Sequence, residues 1–200
     1  MSTGRTQADR RARSREALLR AAAQGLSRYG YGNLRLEQVA EDAGYTRGAL
    51  YHQFRDKEEL ALAVVGWASE TWQREVGGAA EREDDPAEAL VVMARGHAVL
   101  CRQDIARVAM SLRVEFSGRR HPIGDAVEEV FDGLVERMSR LITAGRRRGT
   151  IPPGPPPKVL ARALAGAMEG VVIELAGRAP EDVRMAERVV RGLLGLPVAP

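Results

Sequence analysis

A single cysteine, Cys101, occurs in 200 residues. An intramolecular disulfide and a cysteine-built zinc cluster are therefore excluded, and a reducing compartment suits the chain. No apolar run approaches the roughly 18 residues that a membrane span needs. The opening MSTGRTQADRRARSR is polar and Arg-rich, with no apolar stretch behind it of the secretory kind. Together these absences predict a cytoplasmic protein. Proline is missing before Pro86, and strand-like alternation is missing throughout. Lysine is nearly absent too: Lys57 and Lys158 are the only two among 30 basic residues. Biased coding in a GC-rich genome accounts for that, so arginine abundance alone carries no functional argument.

Catalytic groupings are equally thin. The three histidines, His52, His97 and His121, include no i, i+4 pair of the zinc-binding kind, and no glycine-rich phosphate loop occurs. The acidic pairs Asp84-Asp85 and Glu128-Glu129 are adjacent residues, which point apart on a helix and read as solvated surface. We expect no enzyme, no cofactor and no metal.

What is present is helical periodicity and an uneven charge. Hydrophobic residues make up 44% of the chain, enough for a core. Residues 1–35 hold eight arginines against two acids, whereas residues 61–200 hold 19 bases and 19 acids. A polyanion would bind at the N-terminal end. The alternative is a solvated charged tail. Apolar residues recur at three- and four-residue intervals. The spacing predicts helices over about Ser14–Tyr29 (Ser14 as N-cap, Gly30 as C-cap), Leu34–Ala43, Arg47–Phe54, and from Lys57 onward. A loop over Gly77–Pro86 follows, then helices over Pro86–Cys101, Asp104–Phe116 and Asp125–Arg148, an exposed GTIPPGPPP loop, and helices over Lys158–Ala176 and Glu181–Leu194. The last two are apolar enough to finish the monomer core or to form a subunit interface, and the second is favoured.

The informative stretch is LRLEQVAEDAGYTRGALYHQFRDK, Leu34 to Lys57. It gives two short helices separated by Gly44, which permits the left-handed backbone of a tight helix-helix turn. Val39, Ala40, Leu50 and Phe54 face inward. The outward face is then Tyr45, Thr46, Arg47, Gly48, Tyr51 and His52, a surface with donors and no acids. Thr46 can cap the helix and reach a phosphate. Arg47 can pair bidentately with guanine, and Gly48 lets the backbone come close. Tyr51 and Lys57 can donate to phosphates, and Arg5, Arg10, Arg11 and Arg13 can run along the backbone or into a minor groove. Taken singly, each of these residues is ordinary surface or core rim; the combination on one face beside a basic arm is what points to duplex DNA.

Arg15 to Leu60 resembles the DNA-binding domain of the TetR repressor family, through REALLRAAAQGLSRYGY, VAEDAGYTRGALYHQF and DKEEL. The resemblance implies an all-α subunit of about nine helices. Residues 1–60 would be a three-helix helix-turn-helix domain with a basic arm, and residues 61–200 a helical ligand-sensing and dimerisation domain. It implies a homodimer through the last two helices (about 158–194), a palindromic operator, and release by a small molecule in a cavity of the middle helices. Thr46, Arg47 and Gly48 fall where the family's recognition helix opens, and Tyr51 and Lys57 where its phosphate contacts lie. The chain departs from the pattern at Leu34 and Arg35, where the family has a Thr pair. Asn33 would then cap the second helix and Arg35 would hold a phosphate by charge. Gln53 stands where the family often has His or Tyr, and no role follows for it. Candidates for the cavity are Trp67, Trp72, Met93, His97, Cys101, Met110, Arg113, Phe116, Phe131 and Met168. The Met and aromatic candidates read first as ordinary core and second as cavity lining; Arg113 and Glu115 read first as a solvated pair and second as facing a polar ligand. A regulator without a ligand, or an activator, would carry the same DNA contacts.

Overall fold

The computed structural model of the chain describes residues 7–197, and at residues 104–106 the backbone alone. Arg5 lies outside the described residues. Those residues form nine helices and no strand. In chain order they are α1 (Gln7–Asn33), α2 (Leu36–Asp42), α3 (Arg47–Tyr51), α4 (Lys57–Trp72), α5 (Pro86–Leu100), α6 (Asp104–Glu115), α7 (Pro122–Arg148), α8 (Pro157–Leu175) and α9 (Glu181–Leu194). They gather into two compact units. The first takes the chain up to Ala68 together with Arg107–Val127; the second takes Ser69–Ala106 and the residues from Glu128 on.

In the first unit α1 buries Leu18, Ala22 and Leu26, and against this unit's core close Val39 and Ala40 of α2, Leu50 of α3, Phe54, and Leu60 and Val64 of α4. Gly25 makes room for Leu34, whose Cδ1 stands 2.6 Å from where a Cβ would be. Leu34 is thereby a buried residue ahead of α2, which starts at Leu36 and not at Leu34. Its N-cap is Arg35, which makes no side-chain cap bond, and the Asn33 amide instead donates to Tyr29 O. The expected Asn33 cap is therefore not formed. α1 begins at Gln7, seven residues before the expected Ser14, because QADRRAR holds no helix breaker and several good formers. Arg10, Arg11 and Arg13 are thus exposed helical residues and not a free arm. Gly30 does end the regular helix, at φ 74° and ψ 171°, a region open essentially to glycine.

The α2–α3 turn is a Schellman motif. The N–H of Gly44 donates to Glu41 O at 2.9 Å and that of Tyr45 to Ala40 O at 2.8 Å, with Gly44 at φ 74°. A Cβ on Gly44 would meet nothing within 4 Å. Gly44→Ala should therefore cost only the left-handed strain, about 1 kcal/mol. In a chain of this size that is a fall of about 3 °C in Tm, readable by calorimetry. No change in Tm would mean that the turn relaxes without the motif.

In the second unit the expected Gly77–Pro86 loop is shortened to Glu81–Asp85. α4 runs on through a π-helical turn, Gln73–Gly77, and a last helical turn, Gly78–Ala80. Two glycines disfavour helix here, but Val76 and Ala80 are buried, and Gly96 of α5 leaves room for Val76, whose Cγ1 is 3.2 Å from a Cβ placed there. Burial overrides propensity. Asp85 caps α5 by accepting from Ala87 N–H, with Pro86 in its first turn. The proline-rich loop after α7 is exposed except for Ile151, which seats against Gly145. α9 packs on α5 and α8 through Ala186, Val190 and Leu194. Its first turn is fixed by Asp182, whose carboxylate takes both Nε (2.8 Å) and Nη2 (2.9 Å) of Arg102. That paired hydrogen bond holds the Asp182 carboxyl below its usual range.

Candidate functional site

α3 has five residues, and its N-terminus is capped as expected: Thr46 Oγ1 accepts from Ala49 N–H at 3.2 Å. Tyr45, Thr46, Arg47, Gly48, Tyr51 and His52 are all exposed, while Leu50 of the same helix is fully buried. The expected outward face is therefore formed, and Arg35 is exposed as well. Arg47 is not idle in the free chain. Its Nη2 lies 3.2 Å from Glu37 Oε1 of α2, and its guanidinium is 5.3 Å from the Tyr51 ring centroid. Glu37, which no local pattern marks out, holds Arg47 in the free chain.

Two anchors hold this helix pair in place. Gln53 donates to Ser14 Oγ at 2.8 Å, and Ser14 Oγ donates to Arg11 O, so the chain after α3 is tied to α1. Ser14 is thus an interior link and not the expected cap. Lys57 is half-buried, with Nζ donating to Gly32 O (3.0 Å) and Leu34 O (3.1 Å) and lying 4.7 Å from the Tyr31 ring centroid. Two of its three donors close the α1–α2 connection, which leaves one for a phosphate. Arg55 N–H donates to Glu59, and Glu59 N–H donates to Asp56, a reciprocal cap at the start of α4.

Glu115 lies at the end of α6. Its carboxylate accepts Tyr31 N–H at 2.6 Å and Gly32 N–H at 2.9 Å, pinning the segment that follows Gly30. Tyr31 in turn stacks with Phe116 (5.5 Å) and His121 (5.5 Å), and those two rings lie 4.4 Å apart. Burial, followed by the charges of Glu58, Asp56 and Glu115, raises the Tyr31 phenol above its usual range. Only tertiary contact between residues more than 80 positions apart assembles this cluster, and no local pattern announces it.

The cavity candidates divide between the two units. Phe116 belongs to the aromatic cluster of the first unit, which accounts for it as packing. Trp67, Met110 and Arg113 are partly exposed in that same unit. In the second unit Met93, Phe131 and Met168 are buried, and Trp72, His97 and Cys101 come together. Trp72 Nε1 donates to His97 Nδ1 at 3.2 Å, Cys101 Sγ is 3.5 Å from His97 Nε2, and Glu169 of α8 lies 3.4 Å from Nε2. Burial opposes a charge on His97, while Cys101 and Glu169 favour it and outweigh burial. An indole N–H only donates, so the Trp72 bond needs a bare Nδ1 and opposes the charged ring that Cys101 and Glu169 favour. Trp72→Phe frees Nδ1 and should raise the His97 pKa by about one unit in an NMR titration. An unchanged titration would show that Trp72 does not donate to this ring. Among the described residues no three His, Cys, Asp or Glu side chains gather as a metal site.

A capped helix presenting an acid-free exposed face, preceded by a second short helix across a Schellman turn, is a helix-turn-helix. The other described elements are helical as well. Residues 18–64 match the model described as bacterial regulatory proteins, tetR family, and residues 108–193 match that of a tetracyclin repressor-like C-terminal domain. The chain is 30% identical to the HTH-type transcriptional repressor BepR of Brucella suis over 146 residues, 70% of this chain and 69% of that protein. It belongs to the tetR family. A match to the A-factor receptor protein of Streptomyces griseus, 28% identical, covers 78% of this chain and 52% of that protein. The HTH-type transcriptional repressor AcnR of Corynebacterium glutamicum is 29% identical over 92% of this chain and 94% of its own length. In three dimensions the chain is similar to AibR, crystallised with isovaleryl coenzyme A and operator DNA (TM-score 0.73, 19% identity, 92% of this chain and 100% of that one). It is also similar to the fatty acid degradation regulator FadR of Bacillus halodurans (TM-score 0.74, 18% identity, 90% and 94%).

Proposed function

We propose that this regulator is a cytoplasmic homodimeric repressor, binding a palindromic operator through residues 1–60 and released when residues 61–200 take up a small molecule. The observation that carries the reading is the α3 surface: Tyr45 through His52 exposed, free of carboxylates, and capped by Thr46. In this reading Arg47 reads bases, Gly48 allows close approach, and Thr46, Tyr51, His52, Arg35 and the remaining donor of Lys57 meet phosphates. The exposed Arg10, Arg11 and Arg13 add charge near the start of α1.

Dimerisation is assigned to α8 and α9. One face of α8 buries Leu160, Leu164, Met168 and Val172 within the protomer. Val159, Ala163, Gly166, Gly170 and Ile173, spaced 4-3-4-3, are all exposed. On α9, Met185 and Leu193 are exposed as well. Small residues at heptad spacing suit close helix contact with a second copy. AibR, crystallised with both isovaleryl coenzyme A and operator DNA, supports a regulator of this fold that takes up a small molecule and an operator.

The test is binding to inverted repeats near the chain's own gene, followed by fluorescence anisotropy against salt. Phosphate contacts from two heads predict an affinity falling about 10³-fold or more between 50 and 200 mM salt. Affinity that does not respond to salt, or one head bound per site, would defeat the proposal.

A further inference from the structure

Charge is sorted along α7. Asp125, Glu128, Glu129, Asp132 and Glu136 come first along it; Arg137, Arg140, Arg146, Arg147 and Arg148 all follow. The acidic part is answered within the second unit, since Asp132 takes Arg162 at 2.7 Å and Glu136 takes Lys158, both from α8. The basic part is answered less. It borders an open groove of about 590 Å³ formed by α5, α7 and the last turn of the α4 extension. The floor is apolar, with Ala80, Met93, Leu141 and Ala144; the wall carries Arg137, Arg140 and Arg147, with the hydroxyls of Ser139 and Thr143. One carboxylate, Glu81, lines it, and that group is already held by Arg137 at 2.6 Å and by Gln73 at 3.0 Å. The hydrogen bonds from Arg137 and Gln73 keep the Glu81 carboxyl below its usual range, so it stays an anion bound to Arg137. Arg140 and Arg147 are exposed and have no acidic partner among the described residues.

From this geometry we infer that the groove binds an amphiphilic anion, its oxyanion head on Arg140 and Arg147 and its alkyl chain across the partly exposed Leu141 and Ala144. A volume of this size is in the range of small-molecule sites. Head and tail both matter. An exposed arginine–oxyanion pair is worth little alone, and a half-open apolar floor gives a neutral chain only part of its transfer energy. The inference rests on the proposed effector-responsive reading in one respect only: the bound anion is taken to be what releases the operator.

The full-length chain is titrated by calorimetry and thermal shift with four probes: octanoate, octyl phosphate, octanol and acetate. Octanoate or octyl phosphate should bind and raise Tm where octanol and acetate, at equal concentration, do not; which of the two binds tighter distinguishes a carboxylate head from a phosphate. In Arg140→Gln/Arg147→Gln the Kd for the better anion should rise at least about tenfold, with octanol unaffected. Because both side chains are exposed, the double variant should keep the wild-type circular dichroism, and each single variant should give part of the loss. The Leu141 methyl resonances should shift with the anion in the wild type. Octanol binding as well as the anions, a double variant binding them as the wild type does, or still Leu141 methyls would each overturn the site. Anion binding that leaves operator affinity unchanged would keep the site and remove its role as effector; a chain that binds no operator at all would remove the DNA reading and leave the groove standing.

Discussion

Ile173→Glu should convert the protein to a monomer and lower its operator affinity by about 10³-fold or more. Ile173 is 67% exposed in the protomer, so a carboxylate there meets water in the monomer, and the chain should fold with little change. In a dimer built on the α8 stripe the same carboxylate would be desolvated beside its own symmetry mate, in an isologous contact where one substitution counts twice. The second head then loses the tether that makes its binding intramolecular, an effective concentration of order millimolar. Sedimentation gives the assembly state and anisotropy the affinity. Gly170→Ala is the complementary variant. A Cβ at Gly170 meets nothing within 4 Å in the protomer. Alanine should add helix stability of about 1 kcal/mol to the monomer while spacing two α8 helices apart. Opposite signs in monomer stability and dimer affinity are a signature that a merely structural helix would not give. An Ile173→Glu protein that sediments as a dimer would move the seam elsewhere.

Arg47→Ala should erase discrimination at one base position in each half-site, while binding to unrelated DNA changes little. A bidentate arginine–guanine pair is worth about 1–3 kcal/mol against the wrong base, so each half-site should lose about 10- to 100-fold in selectivity. The structure adds a second arm. Arg47 sits against Glu37 in the free chain, with side chains 66% and 57% exposed, and such a pair is worth at most about 1 kcal/mol. Glu37→Gln should tighten specific binding by up to about fivefold, because there is no longer a pair to break, and should leave the choice of base unchanged. Anisotropy on the operator, on single-base variants of it and on unrelated duplex separates the two effects. Loss of affinity for all three DNAs alike would make Arg47 a phosphate contact and not a reader.

How far the sequence carries can be seen residue by residue. The α2–α3 unit is legible because its signals are local: Gly44 for a left-handed turn, Thr46 for a cap, and apolar spacing for the buried side. α9 is legible end to end for the same reason, its apolar stripe marking out Glu181–Leu194. The start of α1 was misplaced because Ser14 looks like a cap, yet nothing in QADRRAR stops a helix from extending before it. The π turn at Gln73–Gly77 was missed because glycine propensity argues one way and the burial of Val76 the other, and burial is visible only in three dimensions. Glu115, Glu169 and Glu37 belong to the same class. Each is a carboxylate whose partner lies ten to more than 80 positions away, and a lone glutamate carries no mark of that partner.

The carboxylate of Glu115 has a consequence for how the DNA-reading end could ever be excised. A fragment cut after Ala68 would keep α1 to α3 and most of α4, yet lose the acceptor for two main-chain amides just ahead of α2, along with the Phe116 and His121 rings against Tyr31. The headpiece is completed by residues translated much later, so it is not a portable cassette: grafted onto another body without α6, it would present the right side chains on a loosened frame.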